Sequence, residues 1–266
     1  MDWCEALSKK KQLQNAAELP EVSVSDDGDV RYLHLGTPWI QGSMKVDEPF
    51  DIELEYVQRM MAWLLFVDPA GVGKRHAMQL GLGAGAITKF CHKKLRTRTT
   101  AIELNPQVIS ICRAWFKLPQ DGPRLRVVLG DAAVEIRNPE WLGTVDALAV
   151  DLYDHQAAAP VLDSAEFYAD CRQLLTDDGC LTVNLFGRMS SYESSLQKLA
   201  DVFGEDALWA FKPTREGNTI VLAQRTPTAP KRAELMERAE QVQARWDLPA
   251  TKWLRVFSRV QPAAKA

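Results

Sequence analysis

The stretch Leu80-Gly81-Leu82-Gly83-Ala84-Gly85-Ala86-Ile87 decides how this chain folds. Residues 75–80 before it have the apolar pattern of a short buried strand, and residues 87–95 after it have the pattern of a helix. Spaced glycines between a strand and a helix let a ligand come close to the backbone, and the amides of the first helical turn then point at that ligand. Most glycine clusters are plain turns, but two acids that end later strand patterns, Glu103 and Asp131, favour a nucleotide site.

Strand and helix patterns alternate after this glycine loop. Further strands are predicted at 98–103, 125–129, 145–151 and 180–185, and helices at 86–95, 106–117, 131–137, 164–175 and 191–203. Less regular strands at 207–211 and 219–223 follow, and then a helical tail at 230–246. Such alternation is typical of a parallel sheet with helices on both faces, so we predict an α/β fold with a Rossmann-like sheet.

The segment before the sheet has a different pattern. Alternating β segments are predicted at 22–25, 30–35 and 39–44, and an apolar stripe within 52–65 fits a helix. We therefore expect two units, a small N-terminal β domain within residues 1–48 and a catalytic α/β domain at residues 49–266.

Composition excludes several classes of protein. The 266 residues carry a net charge of −3, which gives no general attraction to nucleic acid or to anionic lipid. The longest apolar run, Met60 to Val67, is far shorter than the about 20 residues that cross a bilayer. Five cysteines without a CxxC pair, and a first segment without a signal-peptide pattern, predict a reduced cytoplasmic protein with no zinc site. We expect no metal, no nucleic acid and no membrane among its partners.

Four successive strand patterns end in groups that could hold a ligand. The first ends at the glycine loop, and the next three end at Glu103, Asp131 and Asp151. Ligands of doubly wound sheets bind beyond the carboxyl ends of the strands. Each acid alone could be a helix N-cap, but four such groups in series favour a site.

The type of nucleotide is the next choice. Gly81-x-Gly83-x-x-Ala86 also fits the relaxed dinucleotide fingerprint, in which Glu103 would suit the ribose of NAD. That interpretation leaves Asp131 and the pair Asp151/Asp154 without a role. An adenosyl-sulfonium cofactor uses both, one acid near the adenine amine and the others near the reacting centre, and we favour it.

The region from Arg31 to about Phe186 resembles the spermidine synthase (polyamine aminopropyltransferase) family, and most closely its bacterial branch, which carries a segment like Ser43 to Phe50. The matching stretches are Leu33-His34-Leu35-Gly36, Ile40-Gln41, Asp47-Glu48, the glycine loop, Ile102-Glu103-Leu104-Asn105-Pro106, Gly130-Asp131-Ala132 and Asp151-Leu152-Tyr153-Asp154. The resemblance implies a methyltransferase-type sheet behind a small β domain, and transfer of an aminopropyl group from decarboxylated S-adenosylmethionine to a small amine. It also implies a homodimer.

The resemblance also implies a role for each matching residue. Gln41 would contact the methionine-derived arm of the cofactor, Glu103 the ribose and Asp131 the adenine amine. Asp151 would orient and deprotonate the attacking amine, and Asp154 would anchor the same or a neighbouring nitrogen. The remaining expected contacts are Gly81, Gly83, Gly85 and Ala132 for the cofactor, and Glu53 and Tyr153 for the amine.

The sequence departs from the family at three places. Ala84 stands where the synthases carry an acid that recognises the free amine of the decarboxylated cofactor. The Tyr-His/Gln-Glu triplet of the family is Asp51-Ile52-Glu53 here, and the lid that begins at the second acid is altered from Asp154 to Pro160. The cofactor is therefore decarboxylated or intact S-adenosylmethionine, and a methyltransferase or a nucleoside-binding protein without turnover remain alternatives.

Overall fold

The computed structural model describes residues 19–152, 162–186 and 189–260. It contains two sheets, a small antiparallel sheet near the N-terminus and a large mixed sheet that forms the centre of the molecule. The predicted α/β class and the small β unit are both confirmed. The boundary between residues 48 and 49 stays a prediction.

The small sheet consists of β1 (Val22–Asp27), β2 (Val30–Leu35) and β3 (Ile40–Lys45), in that spatial order. Gly28 turns the first hairpin with a φ of +60°, a conformation that glycine adopts at little cost. One face of the sheet buries Leu33 and Met44 in a cluster that also contains Leu82 and Ala84 of the glycine loop. The small sheet therefore lies directly against the loop.

The large sheet has the strand order β11-β9-β10-β8-β7-β4-β5-β6. Strands β4 to β8 run parallel to one another, while β10 pairs antiparallel with β8 and with β9. The strands are β4 (His76–Leu80), β5 (Arg98–Glu103), β6 (Leu125–Leu129), β7 (Val145–Val150), β8 (Leu175–Phe186), β9 (Leu208–Phe211), β10 (Asn218–Gln224) and β11 (Phe257–Arg259). The order of the parallel strands reverses between β4 and β7, which makes their carboxyl ends the switch point of the sheet.

Helices cover both faces of this sheet and bury an apolar cluster on each side. They are α1 (Glu55–Arg59), α2 (Ala86–Phe90), α3 (Pro106–Trp115), α4 (Ala132–Glu135), α5 (Ala165–Leu174), α6 (Met189–Phe203), α7 (Arg232–Trp246) and α8 (Ala250–Trp253). Among the described residues, no helix has the length and the apolar character needed to cross a membrane. The four described cysteines are buried and free.

Five elements differ from the sequence prediction or are absent from it. The helix expected over 52–65 is α1 followed by a 3-10 helix, Met60–Phe66, in which all residues but Phe66 are buried. The helix expected over 86–95 is α2 followed by a π-helix, Cys91–Leu95. Strand β8 begins five residues before its predicted start at Cys180, and α8 and β11 were not predicted.

Candidate active site

The candidate site lies where β4 and β7 end side by side. The amide of Asp151 donates a hydrogen bond to the carbonyl oxygen of Leu80 at 3.0 Å, and the amide of Gly81 donates to the carbonyl oxygen of Ile102 at 2.9 Å. The glycine loop and the acids that end β5 and β7 thus meet at the switch point of the sheet, as the sequence predicts.

Two glycines of the loop are required by backbone that packs against them. Gly81 has a φ of +83°, and a Cβ placed on it would lie 2.3 Å from the carbonyl oxygen of Asp151. Gly83 has a φ of +51°, and its Cβ would lie 3.1 Å from the carbonyl oxygen of Gln41. The loop therefore packs closely against both the end of β7 and the start of β3, and its glycines also leave room for a ligand.

Gln79 fixes the shape of the loop, and the sequence analysis missed it. Its Nε2 donates to the carbonyl oxygens of Gly81 at 2.6 Å and Leu82 at 3.3 Å. Its Oε1 accepts from the amide and the hydroxyl of Thr88 at 3.1 and 2.6 Å. The available signal was an amide side chain at the end of an otherwise apolar buried strand, because such a group needs partners.

Glu103 is held by backbone amides on both sides. Its Oε2 accepts from the amide of Leu82 and its Oε1 from the amide of Asn105, each at 2.8 Å. Burial raises the pKa of Glu103, and the hydrogen bonds from these amides act in the opposite direction. A carboxylate has about four lone-pair positions, so Glu103 can still accept from the hydroxyls of a bound ribose.

Asp131 has the local role that the sequence analysis weighed as an alternative. Its Oδ1 accepts from the amide of Ala133 at 2.9 Å, which makes it the N-cap of α4. The side chain is exposed, and the cap uses only one of its oxygens. Ala132, the first residue of α4, is buried.

Asp151 is half-buried at the end of β7 and accepts two side-chain hydrogen bonds. The hydroxyl of Tyr56 donates to Oδ2 at 3.2 Å, and Nδ2 of Asn184 donates to Oδ1 at 2.9 Å. Burial raises the pKa of Asp151, while both hydrogen bonds oppose this rise by favouring the ionised form. The sequence analysis predicted Asp151 but missed Tyr56 and Asn184. A polar residue at the end of the buried strand β8 was the available signal for Asn184.

A small open cleft lies between β3, α1 and the glycine loop, and Asp151, Tyr56, Gln41 and Ser43 are among the residues that line it. The predicted residue Glu53 is not among them, but one of its carboxylate oxygens accepts a hydrogen bond from the hydroxyl of Ser43. The structure thus brings Gln41 and Asp151 to one cleft, while Glu53 contacts it through Ser43.

Ala84 also lines the cleft, but its side chain packs against the small sheet. It is 2% exposed, and a Cβ placed on Gly42 would lie only 2.7 Å from the Ala84 Cβ. A carboxylate at position 84 would therefore need β3 to move away. Tyr153 and Asp154, predicted for the amine, lie outside the described residues.

These residues fit an adenosyl-sulfonium cofactor. The glycine loop gives close access to the backbone, and Glu103 keeps acceptor positions beside the loop. Gln41 offers an amide at the cleft, and Asp151 supplies a carboxylate there. Within the described ranges there is no group of three or more His, Cys, Asp or Glu side chains that could hold a metal ion.

The chain is similar to known proteins in sequence and in fold. No family model matches the chain. A curated polyamine aminopropyltransferase from Chromobacterium violaceum is 33% identical over 242 residues, which cover 90% of this chain and 90% of that protein. Among solved structures, a probable spermidine synthase from Corynebacterium glutamicum has a TM-score of 0.70 at 18% identity, with 84% of this chain and 83% of that chain covered. Human methyltransferase-like protein 13 in complex with SAH has a TM-score of 0.67 at 22% identity, with 73% and 93% covered.

Proposed function

The chain belongs to the polyamine aminopropyltransferase family, and from this membership we propose that it transfers an aminopropyl group from decarboxylated S-adenosylmethionine to a small amine. The observation that carries the proposal is the half-buried carboxylate of Asp151. It lines the cleft beside the glycine loop and accepts hydrogen bonds from Tyr56 and Asn184.

The cofactor would lie along the carboxyl ends of β4, β5 and β6. Glu103 would accept hydrogen bonds from the ribose hydroxyls, and Gln41 would contact the methionine-derived arm. Asp131, with Ala132 next to it, would face the adenine. Leu104 follows Glu103 and is 47% exposed, so its apolar side chain is available to pack on the adenine ring. Gly81, Gly83 and Gly85 have no side chains of their own, so the backbone at these three positions is open to the cofactor.

A bound sulfonium supplies a carbon that is already activated for displacement, so the protein need not protonate the leaving group. What the protein must supply is a neutral amine, because alkyl amines hold their proton up to about pH 10. Asp151 would take that proton and stabilise the cation that develops on the nitrogen. Burial raises its proton affinity, and the hydrogen bonds from Tyr56 and Asn184 oppose this rise. Asp154 and Tyr153 are proposed to hold the same amine.

A methyltransferase acting with intact S-adenosylmethionine is the second candidate. It is favoured by Ala84, which fills the space beside Gly42 where the synthases carry an acid for the cofactor amine. Without that acid, the described lining of the cleft contributes one carboxylate, Asp151. The cofactor choice therefore depends on groups other than residue 84.

One experiment separates these functions. The protein is incubated with a mixed pool of diamines and polyamines, once with each cofactor, and the products are identified by mass spectrometry. A mass increase by one aminopropyl unit with the decarboxylated cofactor supports the proposal. Methylated amines with the intact cofactor support the second candidate, and binding without any product supports a nucleoside-binding protein. The homodimer, the cytoplasmic location and the absence of nucleic acid stay predictions.

A further inference from the structure

A chain of side-chain amides continues from Asp151 across the two neighbouring strands, β8 and β10. Asn184 donates to Asp151 through Nδ2, and its own Oδ1 accepts from Nδ2 of Asn218 at 3.1 Å. Asn218 begins β10, and its backbone amide donates to the hydroxyl of Thr214 at 3.2 Å. The amide of Thr214 donates to the carbonyl oxygen of Asn218 at 2.8 Å, which closes the turn between β9 and β10.

The hydrogen bonds of this amide chain can run in only one direction, from Asn218 through Asn184 to Asp151. An ionised carboxylate can only accept, so Asn184 must turn its NH₂ group toward Asp151. The amide oxygen of Asn184 then faces Asn218, and a donor is needed there. Asn184 is 3% exposed, so water does not readily replace that donor.

We propose that Asn218 is a positioning residue for the reaction: by donating to Asn184 it fixes the orientation in which Asn184 stabilises the catalytic base Asp151. The inference rests on the proposed function, since it takes Asp151 as the base. Asn218 would then affect catalysis although its strand, β10, contributes no residue to the described lining of the cleft.

The surroundings of Asp151 make this effect measurable. Of the described elements that pack against it, α1 contributes the titratable group Tyr56, whereas the glycine loop and β8 contribute Gly81 and Asn184, which do not ionise. The carboxylate of Glu103 is turned to the amides of Leu82 and Asn105. The hydrogen bond from Asn184 is therefore one of two side-chain contributions that oppose the rise in the pKa of Asp151.

The decisive variant is Asn218→Asp, which replaces the donor by an acceptor of the same size. Asn184 must then face an acceptor on both sides, so the new carboxylate competes with Asp151 for its NH₂ group and draws that group away from Asp151. We expect the acidic limb of the kcat profile to move up by about one pH unit, so that kcat falls roughly 10-fold below it. Affinity for methylthioadenosine should stay unchanged. Asn218→Leu adds no charge, removes the donor, and should lower kcat without changing KM for the amine.

Two controls show whether the effect passes through Asn184. Thr219→Val changes the next residue of β10, which lines a separate cavity, and should leave the profile unchanged. In an Asn184→Leu background, Asn218→Asp should lose most of its effect on the acidic limb. An equal shift in both backgrounds would mean that the added charge acts directly, and the proposal would be wrong. An unshifted limb in folded Asn218→Asp would also overturn it.

A measurement without turnover separates this inference from the proposed function. The ¹³C carboxyl resonance of Asp151 is titrated in the wild type, in Asn218→Asp and in Asn218→Leu, and folding is checked by thermal melting. A higher titration midpoint in folded Asn218→Asp supports the amide chain even when no amine is converted. A wild type that turns over no amine while this midpoint shifts would refute the proposed function but still show that Asn218 orients Asn184 toward Asp151. If Asn218→Asp does not fold, an unchanged midpoint and an unchanged kcat in Asn218→Leu overturn the inference.

Discussion

Tyr56 and Asp151 are 95 residues apart in the sequence, yet the Tyr56 hydroxyl donates to Oδ2 of Asp151 at 3.2 Å. Tyr56 lies on α1, directly after the small sheet, and Asp151 ends the central strand β7. This contact joins the segment that follows the N-terminal unit to the reacting end of the sheet. It places a titratable hydroxyl beside the proposed base.

Tyr56→Phe removes this hydrogen bond and leaves the ring in place. Because the bond opposes the effect of burial, the pKa of Asp151 should rise further. We expect the acidic limb of kcat to move up by about one pH unit, so that kcat below this limb falls roughly 10-fold. Tyr192→Phe is the matched control, because Tyr192 lines the separate cavity. A profile identical to the wild type would exclude Tyr56 from catalysis.

Local patterns predicted the part of the site that depends on neighbours in sequence. The glycine loop, Glu103 and Asp151 each follow directly from the end of a strand pattern, so their positions needed only the assumption of a parallel sheet. Asn184 could not be placed this way, because its contact depends on the register of β8. Val150 pairs with Val183, and the next residues of the two strands are Asp151 and Asn184. Tyr56 depends on tertiary packing alone.

The same distinction explains the errors in secondary structure. The run 60–65 was predicted as one face of a regular helix, but it is buried on all sides against β8, β10 and α7. With no solvent face to maintain, the segment forms a 3-10 helix after α1. At Asp131, by contrast, the local sequence was sufficient: its exposed carboxylate makes the N-cap that the sequence already allowed.

Gly81→Ala should be far more damaging than a substitution at another left-handed glycine. An added Cβ would collide with the carbonyl oxygen of Asp151, and the φ of +83° adds strain. We expect a loss of roughly 2–5 kcal/mol in unfolding free energy, together with a loss of activity. Gly28→Ala is the control, since its φ is +60° with nothing within 4 Å, and it should cost about 1–2 kcal/mol with full activity. Equal costs from urea unfolding would contradict the close approach of the loop to Asp151.

Glu103→Ala should weaken binding of an adenosyl ligand by about 1.5–3 kcal/mol, because hydrogen bonds to a charged group are lost. The amides of Leu82 and Asn105 also lose their acceptor, so the glycine loop loosens at the same time. Glu103→Gln keeps one acceptor oxygen and separates the two effects. Calorimetry with methylthioadenosine measures both variants. Wild-type affinity in Glu103→Ala would remove this residue from the site.

His76, at the start of β4 and so at the end of the strand away from the candidate site, should make the stability of the protein sensitive to acid. It is 3% exposed, its Nε2 lies 2.9 Å from the hydroxyl of Thr100, and Arg98 lies 2.7 Å from its Nδ1. Burial and the charge of Arg98 lower its pKa to about 4 from 6.5. Between these values only the unfolded state binds the proton, so stability falls as the pH falls from 6.5 to about 4. The expected loss is about 3 kcal/mol.

The contribution of His76 is isolated by comparison of variants. Denaturant unfolding of the wild type and of His76→Gln should show a difference that is largest above pH 6.5 and shrinks toward pH 4. His34→Gln, on the small sheet, controls for the loss of an imidazole. A constant difference between wild type and His76→Gln across this pH range would show that burial of the neutral ring is not linked to stability.

Asp151→Asn tests the catalytic assignment directly. The substitution keeps the size of the side chain but removes proton acceptance, and its NH₂ group must face either Tyr56 or the NH₂ of Asn184. Turnover should fall by about 10²–10⁴, the usual range for loss of a general base. Affinity for methylthioadenosine should change little, because the residue faces the amine, and a higher pH should partly restore the rate as free amine accumulates. If Asp151 only terminates β7, an amide serves there nearly as well, and activity survives. A variant that keeps more than half of the wild-type rate at neutral pH would therefore defeat the assignment of Asp151 as the base.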